Sequence, residues 1–588
     1  MRNRLFDFLA EQRRFVYLAV AILTAAGIWT AFNLPSAIYP ELTFPRVSIV
    51  VEGSPLGARQ VVFAITRPVE EAVSVVQGVT RVHSRTIRGA TEIDVTFAPN
   101  TDMIYATQQV QARVNQVRAD LPQNLDFEIE RLTPALFPVL SYNLEGGDPA
   151  TLYDIARYQV APVFSRVPGV GRVTVQGSDV REIEVIADPA RLASQRLTYE
   201  ELADAIKQST TVAAVGRLPE NYRQYLIVTA QEAKSAEEIA DIVLPRGLRV
   251  RDVAVVRSGT EDHVQIISGD GKPAALLNIT RQLGGNSIAI ADSIAHVAQS
   301  MAKTLPPGVH FKPVYDQSAL VREAVKSVRD AMLIGAVLAI LVLLVFLRHL
   351  RITAISASAI PLTMAITVGI MSVVGQSFNL MTLGAMAIAI GIVIDDAVVI
   401  TENIVRHLRL NPDRAIAVRE AVAEIVWPVT TSTITTVVVF APLRLLQGVV
   451  GQFFAALSLT LTIAVIVSLV LALTIIPLLS AQYLSEGDVD PASEVELTGL
   501  TLEMRPDRGM FGMVATKIDE LSIRYERSLA KLLGHSRWMI GVCAILVVAG
   551  LLAHRFVGSG FLPEMDEGAF VLDYWTPGGT ALAETDRE

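Results

Sequence analysis

The chain has 588 residues, 51% of them hydrophobic, with a mean hydropathy of +0.42 and a formal net charge of −9. That hydropathy is too high for a soluble protein and too low for a pure bundle of membrane helices, so the chain divides between a membrane part and a large water-exposed part. Its charge is spread along the chain with no basic tract to argue for nucleic acid, and its one cysteine, Cys543, excludes an intrachain disulfide or a thiolate metal cluster.

The first apolar run, about 15–32, follows Arg2, Arg4, Arg13 and Arg14, which puts its start in the cytoplasm. It lacks a small-residue cleavage site, so residues 1–33 read as a retained transmembrane helix rather than a signal peptide. Residues 34–330 contain no spanning run and read as an exported domain. Inside it, Gly78-Val79-Thr80-Arg81-Val82 is echoed by Gly169-Val170-Gly171-Arg172-Val173. Each is followed by a second alternating run, Glu92-Ile93-Asp94-Val95 and Glu182-Ile183-Glu184-Val185, and preceded by a helical pattern. In the first copy, Ala58, Val61, Val62, Ile65, Val69, Ala72 and Val76 recur at helix spacing. Two β-α-β units with antiparallel hairpins follow, at about 45–130 and 134–210. The 188–316 stretch adds further α/β segments, with an unassigned insertion around 212–250.

Five more spans come next, at about 331–347, 352–375, 380–405, 429–446 and 453–479, and a seventh at 538–557. Arg348, Arg351, Arg406, Arg409, Arg414 and Arg419 fall in the loops this topology makes cytoplasmic, while the turn at 376–379 has no basic residue. The segment 481–537 is then a cytoplasmic linker ending in an amphipathic helix through Ile518, Leu521, Tyr525 and Leu529. After the seventh span, Leu562-Pro563-Glu564-Met565 and Trp575-Thr576-Pro577-Gly578-Gly579 repeat the pattern of Tyr39-Pro40-Glu41-Leu42 and Gly53-Ser54-Pro55-Leu56-Gly57. Residues 558–588 therefore read as the start of a second, truncated exported domain.

The chemistry concentrates in the fourth span. Its uncharged run 380–394 is only about 22 Å long at ~1.5 Å per residue, so crossing a ~30 Å core requires residues to about 400. Asp395 and Asp396 therefore lie inside the membrane. An ionised carboxylate there costs at least ~2.5 kcal/mol, so the pair must face protein or water and marks an ion pathway. Two adjacent acids in that setting titrate as a coupled pair, which is the chemistry of a proton site. A structural pair neutralised by a neighbouring helix is the alternative.

One span, an exported domain of twinned α/β units, five more spans and a restart together resemble the resistance–nodulation–division superfamily of efflux permeases, of the AcrB/CzcA type. The most specific stretch is GIVIDDAVVITENI at 391–404, supported by the GV-x-RV strands, Asp188-Pro189-x-x-Leu192, Pro306-Pro307-Gly308-Val309, Tyr315-Asp316 and Asn379-Leu380-Met381-Thr382-Leu383. The resemblance implies a membrane α-helical bundle of about seven helices in this chain, with a periplasmic α+β porter domain of repeated ferredoxin-like units. It implies a homotrimeric inner-membrane proton antiporter, not an enzyme, working with a periplasmic adaptor and an outer-membrane channel on small-molecule substrates, without a cofactor. Asp395 and Asp396 match the family's proton-carrying acids; Glu402 and Asn403 match the signature, though capping or interface contacts explain them as well. The family's partner lysine is expected on helices of a second half, and none of this chain's lysines lies in a span. Arg444 stands at a place usually apolar in the family.

Adjacent acids point to hydrophobic or amphiphilic organic substrates, whereas Phe561-Leu562-Pro563-Glu564-Met565-Asp566-Glu567-Gly568 and Pro313-Val314-Tyr315-Asp316 look like the heavy-metal branch. A soft-metal relay would use Met364, Met371, Met381 or Met386, although methionine in apolar helices is mostly packing. A non-transporting receptor or a protein-export accessory of the same architecture remains as a different class. Neither the acid pair nor the size of the exported domain favours those. No HExxH, phosphate loop or Ser/His/Asp spacing falls in the exported region.

Overall fold

The alternation of Val47, Ile49 and Val51 makes 46–52 a strand, and the structure buries all three to 1% exposure or less in β1, Arg46–Glu52. This computed structural model describes residue 8, residues 10–484 apart from 54–55, 124, 178, 211–212, 221, 230–232, 262–264, 348 and 412, and then 520–521, 523–529, 536–558, 570–574, 576–577 and 579–587. The polar tract at 485–508, Ile518 and the restart motif at 561–568 lie outside the described residues. Helical backbone is present at 520–521 and 523–529. The chain forms two units, Met1–Leu136 with Ala319–Leu572, and Phe137–Ser318 with Asp573–Glu588.

In the first unit, β1 leads into a helix α2 (58–74) whose middle turn, Val62–Thr66, is π-helical. It buries Val61, Ile65, Val69 and Val73, the stripe its sequence spacing marks. Then come β2 (Val79–Ile87), β3 (Ala90–Phe97), α3 (Met103–Val117) and β4 (Asp126–Arg131). Asp102 caps α3 by accepting the Ile104 and Tyr105 N–H groups at 2.9 and 3.2 Å. The sheet runs β2-β3-β1-β4 with every pair antiparallel, and α2 and α3 cover its apolar face.

The second unit repeats this plan with one correction to the sequence reading. Strand β5 (Leu140–Glu145), helix α4 (149–164) and β6 (Val170–Gln176) are followed by β7 (Arg181–Ala187), which contains the expected hairpin partner. Yet β7 pairs instead with a distant strand, β10 (Ala254–Thr260). Between them lie α5 (Pro189–Ser194), α6 (Tyr199–Ser209) and the hairpin of β8 (Ala213–Glu220) and β9 (Arg223–Thr229). After a short ribbon of β11 (Ser268–Gly269) and β12 (Lys272–Pro273), the place beside β6 is taken by β13 (Ala275–Arg281). Helix α7 (Ser287–Met301) and β14 (His310–Asp316) complete the order β14-β5-β13-β6. The unit expected to end near 210 is thus closed by strands up to 316, because 181–260 is an insertion.

The repeated glycine explains why the pentapeptide recurs. Gly78 and Gly169 hold φ of +87° and +88°, a conformation that other residues adopt at a steric cost. Their carbonyls accept from Ala98 and Gln282, each at 2.8 Å, just beyond β3 and β13. The two glycines do the same job in the two sheets.

Among the described residues six helices are long and apolar enough to cross a membrane. They are α1 (Arg13–Asn33), α8 (Gln317–Leu347), α9 (Leu350–Val373), α10 (Leu380–Leu410), α11 (Arg414–Phe440) and α12 (Gly448–Tyr483). The seventh apolar stretch forms α13 (Ser536–His554), whose described apolar part, Ile540–His554, is shorter. The fifth span starts fifteen residues before its expected position 429, because the helix begins at Arg414 and runs through Pro428. Beyond it, α14 (Leu582–Arg587) buries no residue. In the bundle, Gly27 of α1 packs so closely on α9 that a Cβ there would lie 1.9 Å from the Ala365 carbonyl oxygen. At the end nearest β1, Thr43 and Gln452 exchange two hydrogen bonds of 2.7 and 2.8 Å.

Candidate functional site

Helix α10 begins at Asn379, fully buried, whose Oδ1 accepts the Met381 and Thr382 N–H groups at 3.0 and 3.1 Å. Its own N–H donates to Thr382 Oγ1 at 3.0 Å, completing a capping box that accounts for the Asn379–Leu383 motif. Along the helix, Ala385, Ala389, Val393, Ala397, Ile400 and Ile404 form a seam at 0% exposure. Three alanines in that seam let α12 approach closely.

Asp396 lies beside the seam and is half-buried; Asp395, its neighbour in sequence, is exposed on this chain. Asp396 Oδ2 accepts a hydrogen bond of 3.1 Å from Ser468 Oγ on α12. Ser468 is 1% exposed, and its hydroxyl also lies 3.4 Å from the Val393 carbonyl oxygen. Both aspartates line a cavity of about 290 Å³ with Gly391 and Ile392 of α10, Ser432, Thr433 and Thr436 of α11, and Val465 of α12. A polar cavity of that size has room for water. The arrangement can therefore exchange a proton between the carboxylates and cavity water, with the hydroxyls of Ser432, Thr433, Thr436 and Ser468 placed to hydrogen-bond the partners.

The other signature residues lie elsewhere. Asn403, 8% exposed, donates through Nδ2 to the Ala421 carbonyl at 2.9 Å and so ties α10 to α11. Glu402 is exposed, two turns from the acids. Nearby, Arg406 and His407 reach Glu424 of α11 at 2.6 and 2.7 Å and tie the C-terminal part of α10 to the same helix. Met364, Met371 and Met386 sit in the bundle's apolar core among Ile, Val and Ala, where they pack rather than line the cavity. Arg444 is exposed on the 3-10 turn Ala441–Leu445.

Sequence reasoning missed Ser432, Thr433, Thr436 and Ser468. For the first three a signal exists: the run Thr430–Thr436, TTSTITT, is unusual inside an apolar helix. Four of those threonines bond back to their own helix, with Thr431 on Trp427 O, Thr433 on Val429 O at 3.0 Å, Thr435 on Thr431 O at 2.8 Å and Thr436 on Ser432 O at 3.2 Å.

Comparison with known proteins adds an independent line. A family model described as the AcrB/AcrD/AcrF family matches residues 5–588. Over 559 residues the chain is 29% identical to a protein named multidrug resistance protein MdtC from Photorhabdus laumondii, covering 94% of this chain and 52% of that protein. The protein of the same name from Pantoea ananatis is 29% identical over 560 residues, covering 94% and 53%. That from Escherichia coli O139:H28 is 28% identical over 565 residues, covering 95% and 53%. The chain spans about half the length of these curated relatives.

Proposed function

The chain belongs to the AcrB/AcrD/AcrF family, and from that premise we propose that it acts in a proton-driven efflux permease of the inner membrane, with Asp395 and Asp396 carrying the protons. The observation that carries the reading is the acid pair within a spanning helix, opening on a hydroxyl-lined cavity, with Asp396 hydrogen-bonded to Ser468. Hydrophobic or amphiphilic organic compounds are the proposed cargo, supported by relatives whose names denote multidrug resistance. The α/β units then form a periplasmic porter domain, and the working assembly is a homotrimer with a periplasmic adaptor and an outer-membrane channel.

The driving force is sufficient. Each charge crossing 100 mV supplies about 2.3 kcal/mol. At ~1.4 kcal/mol per tenfold, that sustains roughly a 50-fold gradient. Protonation of an aspartate changes which hydroxyls it satisfies, and so biases the packing of α10 against α11 and α12.

Asp396→Asn is the direct test. It keeps the shape of the side chain and removes the proton, so cells carrying the complete gene with this change should lose proton-coupled dye efflux while membrane insertion stays at wild-type level. Retained efflux in that variant would sink the assignment.

A further inference from the structure

The candidate site offers opposite hydrogen-bonding chemistry from its two walls. On α12, Ser468 has one hydroxyl proton and two acceptors in reach, Asp396 Oδ2 at 3.1 Å and Val393 O at 3.4 Å. An ionised carboxylate only accepts, and a charged acceptor draws the shorter and stronger bond, so this hydroxyl turns to Asp396 when the acid is charged. Once Asp396 takes a proton its O–H becomes a donor, and Ser468 is released to the Val393 carbonyl. On α11 the reverse holds for two of the three cavity hydroxyls. The protons of Thr433 and Thr436 are already committed to Val429 O and Ser432 O at 3.0 and 3.2 Å, which leaves their oxygens as acceptors. Both threonines line the cavity with the acids.

We propose that α11 and α12 divide the protonation states of Asp396 between them: Ser468 donates to the carboxylate, while Thr433 and Thr436, directly or through cavity water, accept from the protonated acid. These three are positioning residues; the proton itself moves between cavity water and the carboxylate, one O–H bond breaking as another forms, and the hydroxyls only reorient. Among the described residues lining the cavity the other ionisable group is Asp395, and α11 and α12 present only uncharged side chains to it. Protonation thus ends the charge-assisted bond from α12 and brings the acceptors of α11 into use, which deepens and rests on the proton-site reading above.

The test compares the pH profile of efflux, and of the carboxylic-acid infrared band of the purified protein in lipid, for Ser468→Ala and for the near-isosteric double variant Thr433→Val/Thr436→Val. Loss of the donor disfavours the charged form, so Ser468→Ala should move the profile to higher pH. Loss of the acceptors disfavours the neutral form and should move it to lower pH. Each displacement should be on the order of one pH unit, the equivalent of one hydrogen bond. Ser468→Thr and Thr433→Ser should restore the wild-type profile, which a merely structural defect would not explain. Displacements in the same direction, or none in variants that insert normally, overturn the proposal while leaving the acids as proton carriers. Efflux that persists in Asp396→Asn overturns the underlying reading instead, so the two failures are distinguishable.

Discussion

Asp395 and Asp396 are adjacent in sequence yet differently placed, because consecutive residues on an α-helix point ~100° apart. Asp396 falls beside the alanine-rich seam that meets α12, and Asp395 does not. The pair itself was legible, since two carboxylates stand out in an apolar helix. Ser468 was not, because it is one of three serines scattered through a 36-residue apolar helix and carries no pattern until the neighbouring backbone is known. Gly27 is a similar case: its role comes from the Ala365 carbonyl opposite it, not from its own chain neighbours. Gly27→Ala should destabilise the solubilised chain by about 1–3 kcal/mol, the usual cost of overpacking, whereas Gly384→Ala meets nothing within 4 Å and should be neutral. Thermal unfolding of the two variants in one detergent checks the contrast.

Among the elements, α10 shows how local signals place a functional side chain. Asn379 and Thr382 close a capping box whose start sets where Asp396 falls, and both are fully buried. Asn379→Ala removes the acceptor for two N–H groups and should cost roughly 1 kcal/mol, with a ceiling near ~2. Amide exchange at the first turn of α10 should rise in that variant while exchange around Asp396 stays slow; uniform loosening would argue against a local cap. Helix α11 is the opposite lesson. Its run of hydroxyls at 430–436 stands out in an apolar helix, but only the cavity on one side singles out Ser432, Thr433 and Thr436 among them. The β2–β3 hairpin was readable from alternation and turn residues, but the same signals at β6 and β7 misled, because alternation states that a strand exists and not which strand it joins.

For the whole molecule, that mispairing exposes an insertion. Residues 181–260 contribute their own small core of Leu192, Leu197, Leu202, Leu244, Val250 and Val253, separate from the core around Phe164, Leu277 and Ile294. The ends of the insertion meet, since the Glu261 N–H donates to the Val180 carbonyl at 2.9 Å. Replacing 181–260 by a short glycine linker should therefore leave the β14-β5-β13-β6 sheet folded, with membrane insertion and the protease resistance of that sheet preserved. Collapse of that resistance would show the sheet depends on the insertion.

The sequence by itself determined the apolar spans, the acid pair inside an apolar helix and the twin β-α-β starts. Each of these follows from spacing within a few residues, where hydrophobic period and backbone hydrogen bonding act. Only the tertiary structure decided that β13 takes the place β7 was expected to fill, that Ser468 reaches Asp396, and that α11 turns its hydroxyls toward the acids. Those outcomes depend on contacts between residues far apart in the chain, such as 396 with 468 or 169 with 282. Such pairs are selected by how whole surfaces fit, which no local pattern encodes.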